Sequence, residues 1–98
     1  MFFVLYSHNG EMGLASKSEF TEEEAVNHKA CVFPQYNAFI VTSELDNKDE
    51  GEFFIIYHHF GERVLIHNRS FSSKQNAMDY ASNIESNLEA FVVKKFMD

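Results

Sequence analysis

An α+β domain is what this sequence predicts: two strand, hairpin and helix units forming one antiparallel sheet, both helices packed on one face, related by a pseudo-two-fold axis. Three observations carry the prediction. The opening stretch "FFVLYSHNGEMGLASKSEF", Phe2 to Phe20, returns 51 residues later as "FFIIYHHFGERVLIHNRSF", Phe53 to Phe71. Each copy has strand-forming residues on both sides of a glycine turn, and each is followed by a helix start.

The two stretches match without gaps at Phe2/Phe53, Phe3/Phe54, Tyr6/Tyr57, His8/His59, Gly10/Gly61, Glu11/Glu62, Leu14/Leu65 and Phe20/Phe71, the mark of an internal repeat. In the first hairpin Asn9-Gly10 suits a type I′ turn, which needs positive φ at both central residues; Phe60-Gly61 is the weaker counterpart. Two-residue loops pair Val4 with Ala15 and Leu5 with Leu14, and then Ile55 with Ile66 and Ile56 with Leu65.

At the helix starts, Thr21 and Glu24 have the spacing of a capping box, and Ser72 and Gln75 repeat it. The second helix carries an apolar stripe at Ala77, Ala81, Ile84 and Leu88; the first uses Val26, Ala30 and Phe33 before Pro34 stops it. Two further segments, "AFIVTSELD" (Ala38 to Asp46) and "AFVVKKFMD" (Ala90 to Asp98), resemble each other and read as lead strands. Copy two is then residues 38–88, and copy one is residues 2–33 plus 90–98. This permuted arrangement expects the carboxy-terminal strand beside the hairpin of residues 2 to 20, within one chain or swapped between two.

Ninety-eight residues suit a single domain, 1–98, and a composition 45% hydrophobic with eleven Phe is that of a folded chain. Fifteen acidic against eight basic residues give a net charge of −7, which repels a phosphate backbone, so no direct nucleic-acid partner is expected. The single cysteine, Cys31, closes no intrachain disulfide and reads as a buried, inert thiol. The first apolar run, Phe2 to Tyr6, is too short for a membrane span and follows no basic region, so a cytoplasmic protein without a membrane partner is expected.

"FVLYSHNGE" resembles the aromatic-led strand and Asn-Gly-Glu turn of the YegP-like repeat family, and "SFSSKQNA" followed by Ile84 and Asn87 resembles that family's helix entry. The resemblance implies a small bacterial protein built from strand, hairpin and helix units. It implies no catalytic residue.

Five histidines raise a metal hypothesis, but adjacent strand residues face opposite ways, so His58 and His59 do not chelate one ion together. His8 with Glu11, and His59 with Glu62, read instead as cross-strand pairs at the hairpin ends. There is no G-x-S-x-G and no phosphate-binding glycine loop, so no catalytic residue and no cofactor is expected.

The hairpins are apolar on both faces: Phe53, Ile55, Tyr57, Val64 and Ile66 on one, Phe54, Ile56 and Leu65 on the other, with His58 continuing the second. Two helices cover one side of a sheet, so Phe54, Ile56 and His58 are expected to meet a second copy, as a homodimer, or another protein; the alternative is a sheet curled enough to bury both faces. Acidic residues gather at Glu19, Glu22, Glu23 and Glu24, and at Glu44, Asp46, Asp49, Glu50 and Glu52. The second copy has Ser73, Lys74 and Gln75 in place of Glu22, Glu23 and Glu24, so the scaffold does not itself require the charge. The expected function is a non-enzymatic protein-interaction module. Its alternatives are an inhibitor that imitates nucleic acid by charge and a small-ligand or metal-binding protein.

Overall fold

The computed structural model describes residues 1–15, 19–32, 36–59, 62–65, 70–83 and 89–97. They form an α+β fold of antiparallel strands and two helices. Strands β1 (Phe2–His8) and β2 (Glu11–Leu14) are joined by Asn9 and Gly10 at φ 53° and 81°, the positive pair a type I′ turn requires. Leu5 stands opposite Leu14 and His8 opposite Glu11, and the Ala15 N–H donates to the Val4 carbonyl at 2.7 Å, all as expected from the loop length.

The first helix, α1 (Glu22–Val32), starts on the expected capping box. The Glu24 N–H donates to Thr21 Oγ1 at 3.2 Å, and the Thr21 N–H donates to Glu24 Oε1 at 2.9 Å, so two end donors are satisfied reciprocally. Its buried residue is Ala25, at 0% exposure, whereas Val26 and Ala30 of the expected stripe lie outward and Phe33 falls outside the described residues. A methyl side chain lets the helix axis come close to the sheet, and that approach fixes the rotation which turns Val26 to solvent.

Strand β3 (Asn37–Thr42) runs back along β1, with Phe2 opposite Thr42 and Ser7 opposite Asn37. The second half repeats the pattern. Strands β4 (Glu50–His59) and β5 (Glu62–Leu65) place Ile56 opposite Leu65 and His59 opposite Glu62, the registers of the first hairpin shifted by 51; the Phe60-Gly61 turn and Ile66 fall outside the described residues. A short strand β6 (Phe71–Ser73) sets Phe71 against Phe53, as a bridge sets Phe20 against Phe2.

Helix α2 (Lys74–Ser82) is capped one residue later than the spacing of Ser72 and Gln75 suggests. Ser73 Oγ accepts from the Asn76 N–H at 3.4 Å, and Gln75 Nε2 instead donates to Asp79. One residue more separates Phe71 from this helix than separates Phe20 from α1, which moves the cap to Ser73 and sets the buried Ala77 against Ala25.

The last strand, β7 (Ala90–Met97), corrects the permuted arrangement. It pairs with β4, from Phe53 opposite Lys94 to Tyr57 opposite Ala90, and with β3 at Thr42 opposite Lys94. It does not complete the hairpin of residues 2 to 20; β3 does that. Each strand joins the hairpin that precedes it, because a helix lying on a sheet returns the chain next to where it left. The order across the sheet is β2, β1, β3, β7, β4, β5, with β6 beside β4.

The sheet curls until β2 and β5 touch and it is nearly closed. Its inner face packs Phe3, Leu5, Phe39, Val41, Phe54, Ile56 and Val93 together, with Met12, Leu14, Leu65 and Phe91 at the margins. Phe3 meets Phe91 at 5.7 Å between ring centres and Phe39 meets Phe54 at 5.3 Å, each pair spanning strands that are not neighbours and so crossing the interior. At the seam Arg63 of β5 pairs with Glu19 and lies 5.8 Å from the Phe3 ring centre, tying the end of one half to the other. The outer face carries the helices: α1 over Val4 and Ile40, α2 over Phe53, Ile55 and Val92.

Candidate interaction surface

Curling removes the exposed apolar face that the hairpin pattern suggests. Phe54 is 1% exposed and Ile56 0%, both inside the sheet, and His58 is half-buried in the register position opposite Arg63. Phe54 and Ile56 therefore offer no open face to a second copy or a partner. The interior is covered because eleven bulky side chains from both halves meet across it.

The acidic residues divide by what holds them. Asp46 accepts from the Lys48 N–H at 3.0 Å and pairs with Lys94 Nζ at 3.3 Å. Its carboxyl is held below the ordinary aspartate value, first by the Lys48 N–H and then by Lys94. Asp49 accepts from the Ser73 hydroxyl at 2.8 Å and from the Gln75 N–H at 2.9 Å, which lower its carboxyl in that order. Both therefore fasten the connection between the halves to α2 and β7. Glu24 is engaged in its capping box and Glu19 with Arg63. Among the described residues, no hydrogen bond or ion pair engages the exposed carboxylates of Glu22, Glu23, Glu44 and Glu50.

Two adjoining hollows gather part of this set. Glu19, Glu22, Glu24 and Glu44 line the first, of about 490 Å³, with Met1, Phe2, Phe20 and Thr21. Glu44 and Asp46 line the second, of about 320 Å³, with Phe2, Thr42, Lys94, Lys95 and Phe96. Phe2 and Glu44 belong to both, so the two form one trough. Glu23, Asp49 and Glu50 line neither. Lys94 is answered by Asp46 and Lys95 by Glu52, at 3.3 and 3.6 Å.

Met1 and Phe96, 45% and 43% exposed in this trough, carry no charge or motif that marks them in the sequence. Phe96 packs edge-on against Phe2 at 5.1 Å. Its alternation with Val92 and Lys94 along β7 is the only sequence signal for its outward direction, and it needs the strand's place in the sheet to be read.

His8 meets Tyr36 at 4.6 Å and His28 meets Phe20 at 4.9 Å between ring centres, both pairs tilted. Among the described residues no three His, Cys, Asp or Glu converge as metal ligands. Cys31 is exposed near the end of α1 rather than buried as expected. No helix among the described residues is long and apolar enough to cross a membrane. No family model, curated protein or solved structure matches the chain.

Proposed function

We propose that this chain is a non-enzymatic protein-interaction module, built from two tandem copies of one hairpin, helix and strand unit of YegP-like kind. Equivalent hairpin registers in residues 2–42 and 50–97 support the tandem reading. The single observation that carries the function is the trough at the start of β1. There, aromatic surface is left open beside the carboxylates of Glu22 and Glu44, which nothing within the described residues neutralises. Exposed apolar surface rimmed by charge marks protein-contact sites. Since the inner face is filled, the contact belongs on the outer surface.

Charge mimicry of nucleic acid is the weaker reading, because Glu19, Glu24, Asp46 and Asp49 are tied to partners within the chain and form no continuous anionic array. The test is affinity capture of cellular proteins on immobilised wild type and on the Glu22→Gln, Glu23→Gln, Glu44→Gln variant. Selective retention by the wild type, lost in the variant, is expected. Retention by neither overturns the reading, and equal retention by both means that the contact lies outside the trough.

A further inference from the structure

The trough combines two properties. Its floor is aromatic: Phe2, Phe20 and Phe96 line it, and Phe96 leaves nearly half its surface in water while the packed residues of the same strands are at 0 to 9%. Its charge is negative in net, since Lys94 and Lys95 are each answered by a carboxylate, Glu24 is spent on the α1 cap and Glu19 on Arg63, whereas Glu22 and Glu44 are answered by nothing among the described residues. Glu19 and Glu24, being held, shape the wall.

Those two properties select an occupant. An anionic partner, whether nucleic acid or an acidic lipid surface, meets repulsion, and a second copy of this chain brings a trough of the same sign. A lysine or arginine side chain fits both demands, because its aliphatic stem lies along apolar rings while its charged head stays in water at the rim, within reach of carboxylates and of an aromatic face. An adjacent apolar residue completes the contact with Phe96.

We infer that the trough formed by Phe2, Phe20, Phe96, Glu22 and Glu44 takes a protein segment bearing Lys or Arg next to an apolar residue; this rests on the protein-interaction reading above. Affinity then comes from the aromatic floor, and selection of sign comes from the two carboxylates.

The experiment uses three fluorescent hexapeptides, alternating Lys-Leu, Lys-Ser and Glu-Leu, titrated by anisotropy against the full chain. Lys-Leu is expected to bind best, Lys-Ser more weakly and Glu-Leu not at all. Phe96→Ser is expected to weaken Lys-Leu binding about tenfold, as for a central aromatic contact. Glu22→Gln and Glu44→Gln are each expected to weaken it roughly two- to fivefold, as for exposed ion pairs, with the loss shrinking at high salt. Thermal melts of each variant and the conservative Phe96→Leu, expected to retain most binding, separate a lost contact from a lost fold.

Lys-Leu binding that is absent, or unchanged in both Phe96→Ser and the Glu22→Gln, Glu44→Gln double variant, overturns the inference. So does Glu-Leu binding equally well, or a dimer of the chain, seen by sedimentation, that Phe96→Ser abolishes. If the trough variants still retain the same cellular protein as wild type, the trough fails while the module reading stands; if wild type retains none, the module reading itself fails.

Discussion

The two halves of the molecule, residues 2–42 and 50–97, use one set of strand registers but two ways of starting a helix. In the first, Thr21 and Glu24 close a capping box from their own segment. In the second, Ser73 is joined by Asp49, a residue of the connection between the halves, whose carboxylate takes the Gln75 N–H. What is common to both is the inner aromatic set and the alanine under each helix. What differs is the charge. The scaffold therefore constrains ring positions and leaves the outer polar residues free to vary, and the open carboxylates of Glu22 and Glu44 lie in that variable part.

The comparison breaks most decisively at the rings. Phe3→Ala and Phe54→Ala, which stand 51 residues apart and each contact a phenylalanine across the interior, are each expected to cost about 3 to 5 kcal/mol, and to agree within about 1 kcal/mol. Urea unfolding measures both, and a large inequality shows that the halves do not share the core equally. Next come the caps. Thr21→Ala is expected to cost about 1 kcal/mol and Ser73→Ala less, because Asp49 still holds the Gln75 N–H. An equal or larger loss at Ser73 means that the second helix depends on its own cap after all.

The smallest effect is in acid. Asp46 and Asp49 have folded values below that of an unfolded aspartate, so the stability they contribute is present above about pH 4 and is lost as pH falls through their lower folded values. Melting temperatures followed downward from neutral pH should therefore decline less steeply in the Asp46→Asn, Asp49→Asn variant than in wild type. The sign is reversed if the wild-type curve is the flatter one.

The hairpins and the first capping box were legible in the sequence because their causes are local: two positive-φ residues at Asn9-Gly10, and a hydroxyl three residues before a glutamate. The ownership of the two remaining strands was not, since the likeness of Ala38 and Ala90 says that they are equivalent but not which hairpin each joins. The spacing held the answer. Ala25/Ala77 and Ala38/Ala90 are both 52 apart, whereas Phe20/Phe71 are 51 apart, so one inserted residue shifts everything after it in the order hairpin, helix, strand.

Burial of both sheet faces was legible only as the alternative to an exposed face. Alternation along a strand shows that Phe54 and Ile56 share a face but says nothing of curvature, which the rings crossing the interior reveal. Of the candidate site, the acidic positions were readable and their division into held and open carboxylates was not, because it depends on bonds between residues as distant as Asp46 and Lys94.

β7 follows the other described strands in the chain, yet it occupies the middle of the sheet between β3 and β4. Until it arrives, Val41 and Thr42 have no neighbour on one side and Phe54 lacks the strand beside it. A nascent chain that has not yet made β7 therefore carries open strand edges and bare aromatic surface, the state in which chains adhere to one another or are held by chaperones. A chain that stops before Ala90 keeps the Arg63–Glu19 seam but lacks the strand between β3 and β4, so its sheet stays open along both of those edges.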